Sequence, residues 1–386
     1  MVEFIGKGRA ARRTYGFDEI ALVPASATVD PSDVDLSWRV AERTFALPIV
    51  ASAMDSVVDV SFAIALSKLG GMAVLNLEGV QTRYADAATV LDRLAEAPAE
   101  RVVGLMQEVY SESIKDDLVS SRVAEIRRGG GVAVVSATPA SASRLGRIAA
   151  EAGAAILLVQ STVITEQHRS ERGQALSLRD LTAHTEIPVM AGNCVSYEAA
   201  LQLLEAGVAA LFVGVGPGAA CTSRKVLGVG VPQATAIVDV AAARAEFERR
   251  TGRHVPVVAD GGLTVGGDIA KAVACGADAV MLGSLLARCE EAPGRGYHWG
   301  MATPHAALPR GTRVRVGTSG TLRDILFGPA RVDDGSQNLI EALRTAMGMC
   351  GARTLRQMQQ AEIIIAPALA TEGKTLQISQ RVGQGR

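Results

Sequence analysis

VPVVADGGLTVGGDIAKAVACGADAVMLGS, residues 255–284, reads as strand, helix, strand. Two apolar runs without polar alternation, from Val255 and from Asp278, flank a segment of helical spacing over 267–275. Runs that are apolar throughout suit a sheet buried on both faces. Strand, helix and strand in series make the parallel β/α unit.

Working outward, the same kind of run recurs as LPIVASAM from Leu47, GGMAVLN from Gly70, VVGLMQE from Val102 and VAVVSAT from Val132. It returns as ILLVQST from Ile156, IPVMAGN from Ile187 and ALFVGVG from Ala210, with helical segments such as 196–206 between most of them. A doubly wound sheet and a closed barrel share this order. Polar and Gly-rich residues decide between them: Ser52, Asn193, Gly214, Asp260, Gly283 and Ser284 follow the ends of many different strands, as the active site of a barrel does. The expected fold is therefore α/β, a (β/α)8 TIM barrel.

Nine runs are one too many for eight strands. The segment over about 102–130, long, charged and opening on the polar MQEVYSES, is read as a small insertion beside the barrel. No linker, charge block or low-complexity tract marks a second domain, so 1–386 is read as one unit. Residues 1–45 and 367–386 are read as arms outside the barrel, suited to subunit contacts.

The 386 residues carry 39 Lys plus Arg against 40 Asp plus Glu, a net charge of −1, which argues against a nucleic-acid partner. Apolar residues at 48 % supply a large core. Five cysteines, at positions 194, 221, 275, 289 and 350, include no C-x-x-C pair and fit neither a disulfide framework nor a zinc site. No apolar stretch approaches the roughly 18 residues that span a bilayer, and no apolar leader follows the basic N-terminus. These features point to a cytoplasmic protein without a membrane partner.

The segment GVGPGAACTSR from Gly214 is the densest chemical signal. Glycines at alternate positions bring peptide dipoles close to a ligand. Cys221, on such a loop at the open end of a barrel strand, is placed as a nucleophile rather than as core filling, and Thr222 and Ser223 follow as candidate proton carriers. Pro217 and the missing third glycine exclude a dinucleotide fingerprint. Asp260-Gly261-Gly262 and Gly283-Ser284 end the last two strands, where barrels bind phosphate. The Asp260 carboxylate suits the cis hydroxyls of a ribose, and together these turns suggest a nucleoside monophosphate. Among the histidines only His298, in GYHWGM, stands near Gly-rich turns, and no spacing indicates a transition metal.

At these residues the chain resembles the IMP dehydrogenase/GMP reductase family over nearly its whole length. The matching stretches are ASAMDSV from Ala51, AGNCVS from Ala191, GVGPGAACTSRKVLGVGVPQ from Gly214 and ADGGLTVGGDIAKAVACGADAVMLGS from Ala259. GMATP from Gly300 and LRTAMGMCGARTL from Leu343 also fit. The likeness is greatest to a branch that lacks the CBS pair and whose members can be GMP reductases. That resemblance implies NADPH-dependent conversion of GMP to IMP and ammonia, with IMP dehydrogenase or an idle nucleotide-binding regulator as the other readings.

Carried over, Cys221 attacks purine C2 and Ser223 stands where the family has a proton-moving threonine. Ser52 and Met54 line the nucleotide site, Asp260 holds the ribose, and Gly262, Gly283 and Ser284 hold the phosphate. Gly300 and Met301 border the base, while Asn193 and Gly214 face the nicotinamide. The resemblance also implies a potassium ion on the carbonyls of Gly216, Gly218 and Cys221, and a homotetramer or octamer.

Two departures bear on the direction of reaction. The dehydrogenases activate water with an Arg-Tyr pair on a flap after the Gly-Met motif, and residues 302–309 here, ATPHAALP, contain no such pair. Arg310 replaces an acidic or amide residue that in reductases helps protonate the departing amine, and a guanidinium does not release a proton readily. Glu290, Glu291 and His298 are candidates for that role.

Overall fold

The computed structural model describes residues 2–167, 176–299, 313–368 and 371–383. The chain opens with a hairpin, β1 (Val2–Gly6) and β2 (Arg9–Arg12), followed by β3 (Ile20–Leu22) and a second hairpin, β4 (Trp38–Val40) with β5 (Arg43–Phe45). The repeating units begin with β6 (Ile49–Ala51), α1 (Val60–Lys68) and β7 (Met72–Asn76), and α2 (Ala87–Glu96) and α3 (Ala99–Ser111) then precede α4 (Asp116–Arg128). There follow β8 (Val134–Ala137), α5 (Ala142–Glu151), β9 (Ile156–Gln160), α6 (Leu178–His184), β10 (Val189–Cys194) and α7 (Tyr197–Glu205). The last units are β11 (Leu211–Val213), α8 (Ser223–Leu227), α9 (Gln233–Thr251), β12 (Val257–Asp260), α10 (Gly266–Ala274) and β13 (Ala279–Leu282). The C-terminal part holds β14 (Tyr297–His298), β15 (Val314–Arg315), α11 (Leu322–Phe327), α12 (Leu339–Met349), α13 (Leu355–Met358), β16 (Ile363–Ile365) and α14 (Thr375–Gln380).

Among the described residues, the eight parallel strands β6 to β13 form one closed barrel, in which Met281 of β13 pairs with Val50 of β6. Their residues are buried on both faces, save a half-buried Gln160 at the end of β9 and Asp260 at the end of β12. Those exceptions lie at the mouth, where polarity serves a ligand rather than the core. The (β/α)8 expectation holds.

The run from Val102 is a correction: it lies in α3, not in a strand. Its buried residues, Val102, Met106, Val109 and Tyr110, are spaced by four, seven and eight, the period of a helix face. Within the segment expected as an insertion, α4 packs against α1 and α5 as a barrel helix. The helices beside the barrel are α2 and α3, which share a separate apolar cluster with Trp299.

The N-terminal arm is partly core. Phe17, Val34, Leu36, Trp38 and Phe45 join the main cluster, and the Trp38 indole N–H donates to the Leu47 carbonyl at 2.8 Å. The chain from residue 355 onward returns to this arm, since β16 pairs antiparallel with β3.

Candidate active site

Gly214 leaves β11 at φ +149°, and a Cβ there would stand 2.3 Å from the Asp260 carbonyl oxygen, so only glycine fits. The loop it opens turns through a 2.9 Å bond from the Cys221 N–H to the Gly218 carbonyl. Cys221 is exposed, and its Sγ donates to Ser223 Oγ at 3.3 Å. By contrast, Cys194 and Cys275 are buried in apolar surroundings that push their thiols up to about 12, and burial also raises Cys289. Burial also raises the half-buried Cys350, which leaves Cys221 as the exposed thiol of the five.

Arg224 braces this loop from below. Its side chain donates to the carbonyls of Val215 at 3.3 Å and Val231 at 2.6 Å, and its Cγ lies 2.4 Å from where a Cβ on Gly216 would stand. Gly216 is thus small to admit the brace.

Asp260 ends β12 at the floor of the mouth. Its Oδ2 accepts from Asn193 Nδ2 at 2.8 Å and from Gln160 Nε2 at 3.0 Å. Burial pushes the carboxyl up to about 6, and the two amide donors offset only part of that rise. Gln160 also donates to Asn193 Oδ1 at 3.1 Å. Asn193 Nδ2 gives its second bond, also 2.8 Å, to the Gly214 carbonyl. Gln233 completes the floor by donating to the carbonyls of Val213 at 2.8 Å and Asp260 at 3.2 Å, while its buried Oε1 accepts no hydrogen bond among the described residues. Sequence reasoning missed Gln160 and Gln233. The signal was present, since Gln160 is the polar residue at the end of its strand, as Asn193 is.

Asn193 and Gly214, expected to face the nicotinamide, are bonded to each other, and both amide hydrogens of Asn193 are committed. The carboxamides of Gln160, Asn193 and Gln233 converge on Asp260 beside a side-chain-free Gly214, which makes the floor of the mouth polar.

Three further turns complete the mouth. Gly261 (φ +83°) and Gly262 (φ +77°) lie against Pro217 and Gly218 of the cysteine loop, for a Cβ on Gly262 would stand 3.0 Å from Pro217 Cβ. A Cβ on Gly283 would stand 3.2 Å from Met54 Sδ and 3.5 Å from Ser52 Oγ. The Ser284 hydroxyl lies 3.2 Å from His298 Nε2. His298 is buried, which lowers its pKa and keeps the imidazole neutral, and its Nδ1 has no hydrogen-bond partner among the described residues.

Ser52, Met54, Gly262, Gly283 and Ser284 therefore share one rim with Cys221, Ser223 and Asp260. Gly300, Met301 and Arg310 lie outside the described residues. Glu291 is committed elsewhere, because its carboxylate accepts the Leu322 N–H at the start of α11 at 2.7 Å.

Residues 14–375 match the family described as the IMP dehydrogenase / GMP reductase domain. An uncharacterized oxidoreductase of Mycobacterium leprae is 40 % identical over 375 residues, covering 95 % of this chain and 100 % of that one. The inosine-5'-monophosphate dehydrogenase of Methanocaldococcus jannaschii is 29 % identical, with 95 % of each chain covered. A solved structure, the IMP dehydrogenase/GMP reductase-like protein of Corynebacterium glutamicum, superposes with a TM-score of 0.89 at 35 % identity, over 94 % of this chain and 97 % of that one. An exposed cysteine above an amide-held aspartate, at the mouth of a barrel that matches this family from residue 14 to 375, makes the chain a member of the IMP dehydrogenase/GMP reductase family of oxidoreductases.

Proposed function

We propose that the chain is a GMP reductase, converting GMP and NADPH to IMP, ammonia and NADP through a covalent bond between Cys221 and purine C2. The observation that carries the nucleophile is the exposed Cys221 thiol, bonded to Ser223 and seated on a loop that packs against the Asp260-Gly261-Gly262 turn. The Asp260 carboxylate binds the ribose hydroxyls, and the amides and hydroxyl of Gly262, Gly283 and Ser284 bind the phosphate. Cys221 is then set at the base.

The Cys221 sulfur forms a bond to C2 as the exocyclic amine accepts a proton and leaves as ammonia. Asn193 and Gly214 would face a reduced nicotinamide, which when bound would supply hydride to C2. The C2–sulfur bond then breaks and its electron pair returns to Cys221. Splitting the displacement in this way replaces one hard step with two easier ones. Ser223, in bonding distance of the thiol, relays the proton. Burial lowers the pKa of His298 beside Ser284, which disfavours it as the acid that protonates the amine.

Residues 302–309 lack an Arg-Tyr pair to activate water for hydrolysis to XMP, which favours the reductase direction. The dehydrogenase reading is favoured by one observation, the Arg310 that replaces the acidic partner of the reductase relay. A potassium ion on the carbonyls of Gly216, Gly218 and Cys221 would share the Gly218 oxygen with the Cys221 N–H, which leaves one lone pair for it. A homotetramer or octamer suits the terminal arms, and a reducing cytoplasm suits an exposed catalytic thiol. The test is absorbance of the reduced nicotinamide: loss with GMP and NADPH supports the reductase, a rise with IMP and NAD the dehydrogenase.

A further inference from the structure

Helices α2 and α3 are not needed to fill the barrel, since their apolar faces close on a cluster of their own around Trp299. A chain of hydrogen bonds nevertheless runs through that cluster to the mouth. The Trp299 indole N–H donates to Tyr110 Oη at 2.8 Å, and the Tyr110 hydroxyl donates to Asp55 Oδ2 at 2.7 Å. The same carboxylate oxygen accepts the Val80 N–H at 2.9 Å. All three side chains are buried, Asp55 to 1 % and Trp299 to 0 % exposure.

Both ends of this chain adjoin the nucleotide rim. Asp55 follows Met54, whose sulfur lies against Gly283, and Trp299 follows His298, which meets Ser284. Ser56 already links the two segments, because its carbonyl accepts the Gly294 N–H at 2.9 Å and its hydroxyl accepts the Trp299 N–H at 3.4 Å. Tyr110 adds a second link from outside the barrel. A phenylalanine would fill the same apolar space, whereas a buried hydroxyl and carboxylate cost free energy unless each is satisfied. The retained polar pair therefore needs a reason beyond packing, and the two segments it joins supply one.

We propose that Tyr110 is a positioning residue for the nucleotide site, acting through Asp55 and Trp299 to set the spacing between the Ser52–Met54 side and the His298–Ser284 side. The inference rests on the purine-nucleotide reading of that mouth. It makes the α2–α3 insertion a determinant of nucleotide affinity.

The test compares Tyr110→Phe with Tyr84→Phe in the full-length protein. The control removes a hydroxyl that borders the same apolar cluster and donates only to the Val109 carbonyl at 3.1 Å among the described residues. With the bond to the Asp55 carboxylate and the acceptor of the Trp299 indole N–H both lost, KM for GMP rises about five- to tenfold in Y110F. KM for NADPH and all constants of Y84F stay within about twofold, because neither change reaches the floor of the mouth. Labelling with 5-fluorotryptophan adds a direct readout, since Trp38 and Trp299 give separate fluorine resonances. GMP shifts the Trp299 signal in the wild type and shifts it less in Y110F. Should Y110F not fold, Trp299→Phe removes the other end of the chain and is expected to show the same split.

A folded Y110F with unchanged KM for GMP, or one that only melts earlier with reduced kcat, would overturn the positioning role alone. A wild type in which GMP and IMP neither bind nor shift either resonance would overturn the nucleotide reading and this inference with it.

Discussion

Asn193 Nδ2 donates to Asp260 Oδ2 at 2.8 Å, joining the fifth barrel strand to the seventh across the mouth. The bond aims the carboxylate and holds down its pKa against burial. Replacing Asn193 with Ala removes it together with the bond to the Gly214 carbonyl. We expect kcat/KM for GMP to fall about tenfold to a hundredfold, the cost of one bond to a charged group plus a loosened loop. Steady-state kinetics check this, and the acid limb of the pH profile should move to higher pH as Asp260 loses a donor.

Asp260 itself sets a pH dependence in the free enzyme. Its carboxyl titrates near 6, above its ordinary value of 3.8, so KM for GMP should rise as pH falls below about 6 and the acceptor of the ribose hydroxyls is protonated. For stability the sign is opposite. The folded protein holds this proton more tightly than the unfolded chain, so ionisation favours unfolding as pH rises from about 4 through 6. Asp260→Asn should therefore raise Tm at pH 7.5 while weakening GMP binding by about a hundredfold. Calorimetric melting and titration calorimetry on one sample measure both, and a variant that loses both stability and binding would contradict the assignment.

Ser223 separates chemistry from binding. Its hydroxyl contacts the Cys221 thiol, so Ser223→Ala should lower kcat by about tenfold to a hundredfold, as expected for loss of a proton relay. KM for GMP should change little. Ser223→Thr, which keeps the hydroxyl, should restore most of kcat.

Arg224 acts on the loop rather than on substrate. Arg224→Met keeps the stem that packs by Gly216 and Gly230 and removes the donors to Val215 and Val231. Amide hydrogen exchange over 214–222 should become about tenfold faster or more, since two loop-closing bonds are gone, while the barrel strands keep their protection. Equal exchange in both proteins would show that the glycine packing alone holds the loop.

Much of this arrangement was legible in the chain. Strands buried on both faces carry a plain apolar signature, and the polar residues at their ends mark the mouth. The run from Val102 misled because adjacent apolar residues resemble a buried strand, whereas the spacing of Val102, Met106, Val109 and Tyr110 is helical. Gln160 and Gln233 escaped notice for another reason. Carboxamides do no chemistry of their own, and only the geometry reveals that they orient Asp260. The buried chain of Trp299, Tyr110 and Asp55 joins residues far apart in sequence, so no local pattern could announce it.

The central claim is bond formation between Cys221 and purine C2 followed by reduction at that carbon. The most direct measurement supplies GMP with NADPH deuterated at nicotinamide C4 and examines the purine product by NMR and mass spectrometry. The expected products are IMP carrying deuterium at C2 and ammonia in equal amount, with neither formed by Cys221→Ala although that variant still binds GMP. IMP consumed with NAD to give XMP, with no deuterium entering C2 from GMP, would contradict it.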